Sequence, residues 1–170
     1  NKSETWMNSA QQDIATYTNP ERSTGTLDDV IQNADVFIGV SGPKALTKDH
    51  VQSMNDNPVV FALANPTPEI YPEEAIEAGA TIIGTGRSDY PNQINNLLAF
   101  PGIFRGVLDA QSSDITTEMK ITAAKAIAGS IREDQLAADF IIPNALDKNV
   151  THQVAEAIKH SAKKEGEILV

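Results

Sequence analysis

Three short apolar segments in the first half of the chain indicate β-strands. They lie at residues 35–40 (DVFIGV), 58–64 (PVVFALA) and 80–84 (ATIIG), and their apolar residues are nearly continuous rather than alternating with polar ones. A strand that is buried on both faces has this pattern, because side chains of both orientations avoid water. The pattern therefore predicts three strands in a sheet that is covered on both sides.

Helix-start signals lie beside these segments. Thr26 precedes two aspartates in a capping-box pattern, Thr47 begins a similar turn, and Pro72 stands before two glutamates. These residues favour the first turn of a helix, whose free N–H groups need acceptors and whose partial positive charge attracts carboxylates. Strands that alternate with helices pair in parallel through right-handed crossovers. We predict an α/β fold that forms the second half of a doubly wound parallel sheet.

The two ends of the chain are predicted to be helical. We expect a surface helix at residues 4–17 and a loop at residues 19–25. Beyond residue 93, one apolar stripe has helical spacing and comprises Met119, Ala123, Ala124, Ile127, Ala128 and Ile131. A last helix, capped by Asp147 or Asn149, carries an apolar face formed by Val150, Val154, Ala157 and Ile158.

The length of 170 residues fits one domain, and no repeat or linker divides the chain. We therefore expect residues 1–170 to belong to a single domain. Its parts would be an opening helix and loop at 1–25, βα units at 26–92 and a mainly helical part at 93–170.

The charge of the chain argues against one class of partner. The sequence has 23 acidic and 13 basic residues and a formal net charge of -10, which would repel a nucleic-acid backbone. It has neither a run of about 20 apolar residues, as a membrane helix needs, nor an N-terminal signal segment. It also lacks cysteine, which suits a reducing compartment. These features predict a cytoplasmic protein that binds neither nucleic acid nor membrane.

Glycine and small polar residues follow all three predicted strands. They form the first loop (residues 40–43, VSGP), the second loop (64–68, ANPTP) and the third loop (84–92, GTGRSDYPN). Each loop alone is compatible with ordinary turns. In an open parallel sheet, however, ligands bind beyond the carboxyl ends of the strands, and such loops offer close backbone approach and neutral polar groups. Together the loops predict a binding crevice.

Two amides open the next segment, residues 95–106 (NNLLAFPGIFRG). On a structural interpretation, Asn95 caps a helix and Pro101 kinks it, which accounts for one asparagine but not for both. On a functional interpretation, an amide at the helix start donates to an anion that the helix dipole stabilises. Arg87 in the third loop has a similar pair of alternatives, an anionic ligand or a salt bridge.

Two long strings carry a resemblance to a known family. Residues 61–70 (FALANPTPEI) and 86–106 (GRSDYPNQINNLLAFPGIFRG), together with 34–43 (ADVFIGVSGP), resemble the Rossmann-like NAD(P)-binding domain of the smaller, prokaryotic-type malic enzymes. The similarity extends to residues 118–128 and 140–150. Two long ungapped strings in the same order are far more specific than one glycine motif.

The resemblance implies oxidative decarboxylation of malate to pyruvate and carbon dioxide, with NAD or NADP reduced and Mg²⁺ or Mn²⁺ bound. It implies that Asn65 lies by the nicotinamide ribose and the substrate, and that Asn96, with Asn95 beside it, binds a malate carboxylate. The other cofactor-binding candidates in the first two loops are Val40, Ser41, Gly42 and Ala64. The resemblance also implies a homodimer.

In this family the phosphate-binding glycine loop, the Tyr and Lys acid–base pair and the metal-binding carboxylates come earlier in the sequence. No G-x-G-x-x-G occurs here, and Asn1 is not an initiator methionine. We therefore expect a C-terminal part of such a domain, without catalytic residues or metal ligands and inactive alone. The scattered His50, His152 and His160 are predicted to be solvated rather than metal ligands.

Two alternatives stay open. One is a malolactic-type enzyme, which converts malate to lactate, and the other is a dinucleotide-binding module without catalysis. The choice between NAD and NADP also stays open, because the resemblance implies that the selecting residues follow a strand that we expect to precede this part of the domain.

Overall fold

The computed structural model describes residues 7–166. Its helices, in chain order, are α1 (Ser9–Ile14), α2 (Leu27–Val30), α3 (Lys48–Gln52), α4 (Pro72–Glu77), α5 (Phe100–Ala110), α6 (Thr117–Ala128) and α7 (Lys148–Glu165). The strands are β1 (Val36–Gly39), β2 (Val59–Ala62) and β3 (Ile82–Thr85). Short 3₁₀ turns occupy Asn96–Leu98 and Glu133–Gln135. Residues 4–6 of the predicted opening helix lie outside the described residues.

The three strands form one parallel sheet in the order β1-β2-β3. Val36 pairs with Val59, and Val59 pairs with Ile82, so the strands start level and their carboxyl ends are level too. The α/β fold with a parallel sheet, predicted from the apolar segments, is confirmed. The level strand ends place the three following loops at one edge.

The predicted helix starts are also confirmed. At α2 the backbone N–H of Thr26 donates to Asp29 Oδ2 at 2.8 Å, and at α3 the Thr47 hydroxyl oxygen accepts from His50 N at 3.2 Å. Pro72 occupies the first turn of α4. In each case a backbone N–H group at the helix start either donates to a side chain or is absent because the residue is proline.

Helices α2, α3 and α4 pack on one face of the sheet. Val60 and Ala62 of β2 point to that face, because alternate residues of a strand share a side, and both are fully buried. They belong to one apolar core with Val51 of α3 and Ala75 of α4. This core fixes the strand ends from which the loops depart.

The other face of β1 is open, so the prediction that both sheet faces are covered is wrong for this strand within residues 7–166. Val36 and Ile38 point away from the helices and are 50% and 64% exposed. Apolar character records which side chains avoid water, but it does not reveal which segment covers them. Gly84 of β3 lies on the same face and is buried there against Ile94.

The C-terminal helices form a second core. Met119 of α6 and Val154 and Ile158 of α7 are fully buried in it. The stripe predicted on α6 is too wide, since Ala124 and Ala128 are exposed. Only the side of α6 that carries Met119 packs against α7, so these two alanines face outward.

Two local predictions in this part are resolved. Asp147, rather than Asn149, caps α7, because its Oδ1 accepts a hydrogen bond from Asn149 N at 2.9 Å. Pro101 lies in the first turn of α5, so the predicted kink is wrong. Proline is well tolerated there, since its missing N–H would have no partner within the helix.

Within residues 7–166, none of the helices is both long and apolar enough to cross a membrane.

Candidate nicotinamide and substrate site

The first and second loops leave the sheet side by side. Gly39 at the end of β1 pairs with Ala62 at the end of β2, and Leu63 N donates to the Gly39 carbonyl at 3.0 Å. Further along, Lys44 N donates to the Pro68 carbonyl at 3.1 Å. Backbone hydrogen bonds therefore join the two loop segments where they begin and where they end.

Glu69 joins the same two loops through its side chain, which is fully buried. Its Oε1 accepts from Ser41 N at 2.9 Å and from Ser41 Oγ at 3.3 Å. Its Oε2 accepts from Ala64 N at 3.0 Å. Within residues 7–166 no lysine, arginine or histidine forms an ion pair with Glu69, so neutral donors from both loops compensate its charge.

The pKa of Glu69 is set by two opposing effects. Burial of the carboxylate would raise the pKa, because it removes water from the charged form. The N–H groups of Ala64 and Ser41, together with the Ser41 hydroxyl, stabilise the charged form and hold the pKa below its ordinary value. The carboxylate therefore remains ionised and acts only as an acceptor at neutral pH.

Sequence reasoning missed Glu69. A glutamate among turn residues is typical of an exposed loop, so nothing distinguished it from a solvated side chain. One signal was present, because Glu69 is the only charged residue between positions 58 and 72. A single charge within an apolar and turn-rich stretch is a reason to look for a buried role.

The third loop contacts the second through Arg87. Its Nη1 donates to the Pro66 carbonyl at 3.1 Å, and its Nε and Nη2 donate to the two carboxylate oxygens of Asp89 at 2.9 and 2.6 Å. These hydrogen bonds lower the pKa of Asp89. Of the two alternatives for Arg87, the salt bridge is the one that the structure contains.

Strand β3 leads directly to the two asparagines. Ile94 N donates to the Thr85 carbonyl at 2.7 Å, which places the following residues beside the end of β3. Asn95 Oδ1 accepts from Leu97 N at 3.0 Å and caps the 3₁₀ turn, so the capping interpretation is confirmed for Asn95. Asn96 is exposed, and no hydrogen bond within residues 7–166 uses its side chain. A structural role therefore does not account for Asn96.

The predicted cofactor-binding residues lie at this same edge. Val40 is 80% exposed, and Ser41 and Asn65 are exposed as well. Ala64 is half-buried, and a Cβ added to Gly42 would have no atom within 4 Å. The edge thus presents an apolar side chain, an amide and open space beside a glycine, which fit a flat nicotinamide ring and ribose hydroxyls.

The described residues do not fit a metal site. No group of three or more His, Asp or Glu residues within 7–166 is arranged to hold a metal ion. His152 and His160 are exposed as predicted.

The prediction of a solvated His50 is wrong, since its side chain is 11% exposed and its Nε2 lies 2.8 Å from Asp28 Oδ1. Its Nδ1 accepts from Thr47 N, so His50 stabilises the start of α3.

A separate cavity of about 280 Å³ lies between α4, β3 and the segment around Ala138. Its walls are mainly apolar and include Ile76, Ile83 and Pro91. None of the predicted site residues lines it, so this cavity is not part of the predicted site.

Comparison with known proteins identifies the family. A family model described as the malic enzyme NAD-binding domain matches residues 2–163. The chain belongs to this family. The resemblance that the two strings indicated is therefore confirmed.

Similar proteins agree with the malic enzyme assignment. The chain is 56% identical over 160 residues to the bifunctional malic/malolactic enzyme of Bacillus subtilis, covering 94% of this chain and 39% of that protein. It is 50% identical over 165 residues to the NAD-dependent malic enzyme of Geobacillus stearothermophilus, covering 97% and 34%. It is 44% identical over 156 residues to a protein of Escherichia coli that is named an NADP-dependent malic enzyme, covering 83% of this chain and 21% of that protein.

Solved structures of malic enzymes share the fold. The crystal structure of the NAD-dependent malic enzyme of Thermotoga maritima matches with a TM-score of 0.86 and 48% identity, over 94% of this chain and 41% of that one. The chain thus spans well under half the length of the malic enzymes that it matches.

Proposed function

We propose that the protein carrying this chain is a malic enzyme, which converts malate to pyruvate and carbon dioxide with reduction of NAD or NADP. Family membership and the names of the relatives support the proposal. The observation that carries it is that hydrogen bonds connect the three loops at one edge of the sheet. Glu69, Arg87 and Thr85 connect the three loops and the asparagine segment, and Asn65 and Asn96 remain exposed there.

In this proposal the chain, as part of a single NAD(P)-binding domain, supplies the nicotinamide side of the cofactor site. A bound NAD or NADP would supply the acceptor for the hydride that leaves C2 of malate, and the residues of this chain would bind and orient the cofactor and the substrate. Asn65 donates to the nicotinamide ribose and borders the substrate. The residues that flank the cofactor are Val40, Ser41, Gly42 and Ala64.

Asn96, with Asn95 beside it, is proposed to bind a malate carboxylate. An amide N–H donates to a carboxylate oxygen, and hydrogen bonds to a charged group are the stronger ones. Asn96 is suited to this role because its side chain is exposed and makes no hydrogen bond within residues 7–166. Asn95 uses its carbonyl oxygen as a cap, which leaves its NH₂ group to donate.

Metal binding and acid–base chemistry are assigned to other parts of the protein. Malic enzyme chemistry calls for Mg²⁺ or Mn²⁺, and the described residues lack a matching ligand group. We therefore expect residues 1–170 to be inactive when expressed alone. A cytoplasmic location and a homodimer remain predictions from the sequence and the family resemblance.

The test is an assay of the whole protein with malate and Mn²⁺ and with either NAD or NADP. Pyruvate formed in equal amount to reduced cofactor is the expected result, and the faster cofactor identifies the preference. Absence of turnover together with retained cofactor binding would instead support a dinucleotide-binding module. The same assay on residues 1–170, with folding checked by circular dichroism, tests the expected inactivity.

A malolactic reaction is the second candidate, because the Bacillus subtilis relative is named for both activities. Lactate without net cofactor reduction in the same assay would identify it. Both pyruvate and lactate from one preparation would indicate a bifunctional enzyme.

A further inference from the structure

We propose that Glu69 is a positioning residue of the cofactor site, whose buried carboxylate fixes the first and second loops relative to each other. The inference rests on the proposed function for the identity of the bound molecule, a nicotinamide dinucleotide. The side chain itself does not touch that molecule in this proposal. It acts through Ser41 and Ala64, which flank the cofactor.

The two carboxylate oxygens are divided between the two loops. Oε1 accepts from both the N–H and the hydroxyl of Ser41, and Oε2 accepts from the N–H of Ala64. These donors belong to residues that follow β1 and β2 and that lie 28 and 5 positions from Glu69. A single rigid, planar group therefore sets the separation of the loops and turns these N–H groups inward.

Closing the loops does not require this carboxylate. Leu63 N already donates to Gly39 O, and Lys44 N donates to Pro68 O, so backbone hydrogen bonds hold both ends of the pair. Burying a charge carries a large desolvation penalty, and an apolar residue would avoid it. A fully buried, ionised carboxylate at this point is better explained by the geometry that it imposes on Ser41 and Ala64.

Strand β1 also makes room for the carboxylate. A Cβ on Gly39 would lie 2.6 Å from Glu69 Cδ and 2.7 Å from both Glu69 Oε1 and Cε1 of the Phe37 ring. Glycine is therefore needed at the end of β1 because the carboxylate passes directly over the backbone there. Gly39→Ala should displace the carboxylate while keeping its charge.

The test compares three variants of the whole protein, with the dissociation constant for NAD or NADP measured by titration. Glu69→Gln turns an NH₂ group toward one of the two loop N–H groups, so one loop loses its acceptor. We expect the cofactor dissociation constant and the cofactor KM to rise about tenfold, with kcat at saturating cofactor less affected. Gly39→Ala should have the same effect and tests the inference if Glu69→Gln does not fold.

Met119→Ala is the matched control. It removes a fully buried side chain from the core of the C-terminal helices and should lower the melting temperature without weakening cofactor binding. Unchanged cofactor binding in folded Glu69→Gln and Gly39→Ala would overturn the inference and leave the proposed function intact. A wild-type protein that binds neither NAD nor NADP would overturn both. If Met119→Ala weakens cofactor binding as much as Glu69→Gln does, the effect of Glu69 is one of general stability, and the inference is also overturned.

Discussion

Gly106 of α5 lies so close to Ile158 of α7 that a Cβ on the glycine would stand 2.7 Å from the Cβ of Ile158. The carbonyl oxygen of Ala155 would be nearer still, at 2.5 Å. One turn earlier, a Cβ on Gly102 would lie 2.6 Å from the Cβ of Val154. Two glycines four residues apart thus form a shallow groove in α5, and α7 packs into it.

The first prediction concerns this helix pair. Gly106→Ala should destabilise the protein by about 1–3 kcal/mol, because the added methyl group forces α7 away from α5. Thermal and urea unfolding would measure the loss. Gly129→Ala is the control, since its φ is negative and its nearest neighbour would lie 3.2 Å away. A Gly106→Ala protein as stable as the control would show that α7 moves aside without loss.

The side chain of Asn92 joins the third loop to the C-terminal part through hydrogen bonds. Its Nδ2 donates to the carbonyls of Ile83 at 2.9 Å and Ala138 at 2.8 Å. Its Oδ1 accepts from Ile141 N at 2.9 Å. The residue is buried and has a φ of 52°, a conformation that asparagine tolerates better than most residues.

The second prediction is that Asn92→Asp destabilises the protein by about 2–4 kcal/mol at neutral pH. The new carboxylate oxygen would face two carbonyl oxygens, which would lose their donor. The loss should shrink on acidification, because a protonated aspartate donates again. Asn57→Asp is the matched control, an exposed asparagine with a φ of 59°. Similar melting curves for the two variants would contradict the assigned role of Asn92.

Features encoded by local patterns were predictable from sequence. The three strands follow from apolar runs, and the starts of α2, α3 and α4 follow from Thr26, Thr47 and Pro72, because a cap and its partner lie within one turn. The open face of β1 was not predictable in this way. An apolar run indicates burial, and only the three-dimensional structure shows that Ile38 is uncovered within residues 7–166.

The candidate site could likewise be predicted from the sequence only in part. The positions of Ser41 and Asn65 at one edge followed from the rule for parallel sheets, whereas Asn96 was singled out by the two amides at a helix start and by the family resemblance. The residues that hold the edge together were missed, because their partners are distant in sequence. Glu69 reaches Ser41 across 28 positions, and Asn92 reaches Ile141 across 49. Nothing in a single sequence pairs residues over such separations.

The third prediction uses the pKa of Glu69. Because the folded protein holds this pKa below its ordinary value of 4.5, the fold is more stable with Glu69 ionised than with Glu69 protonated. That stabilisation is complete above the ordinary pKa and is lost as the pH falls through the lower folded value. The melting temperature of the whole protein should therefore fall more steeply on acidification below about pH 4.5 than that of Glu69→Gln.

Exposed carboxylates whose pKa is lowered, Asp29, Glu77 and Asp89, contribute in the same direction. They are present in both proteins, so the difference between the two pH profiles isolates Glu69. Parallel profiles would mean that Glu69 has the same pKa in the folded and unfolded states.

The last prediction separates the two asparagines of the substrate site. Asn96→Ala should raise the KM for malate by about tenfold or more while leaving the melting temperature unchanged, because its side chain makes no hydrogen bond within residues 7–166. Asn95→Ala should lower stability by about 0.5–2 kcal/mol, since Leu97 N loses its cap. Steady-state kinetics at saturating cofactor, beside thermal unfolding, measure both effects. If Asn96→Ala leaves both the KM for malate and kcat unchanged, the malate carboxylate binds elsewhere, and the exposed amide of Asn96 has no part in the site.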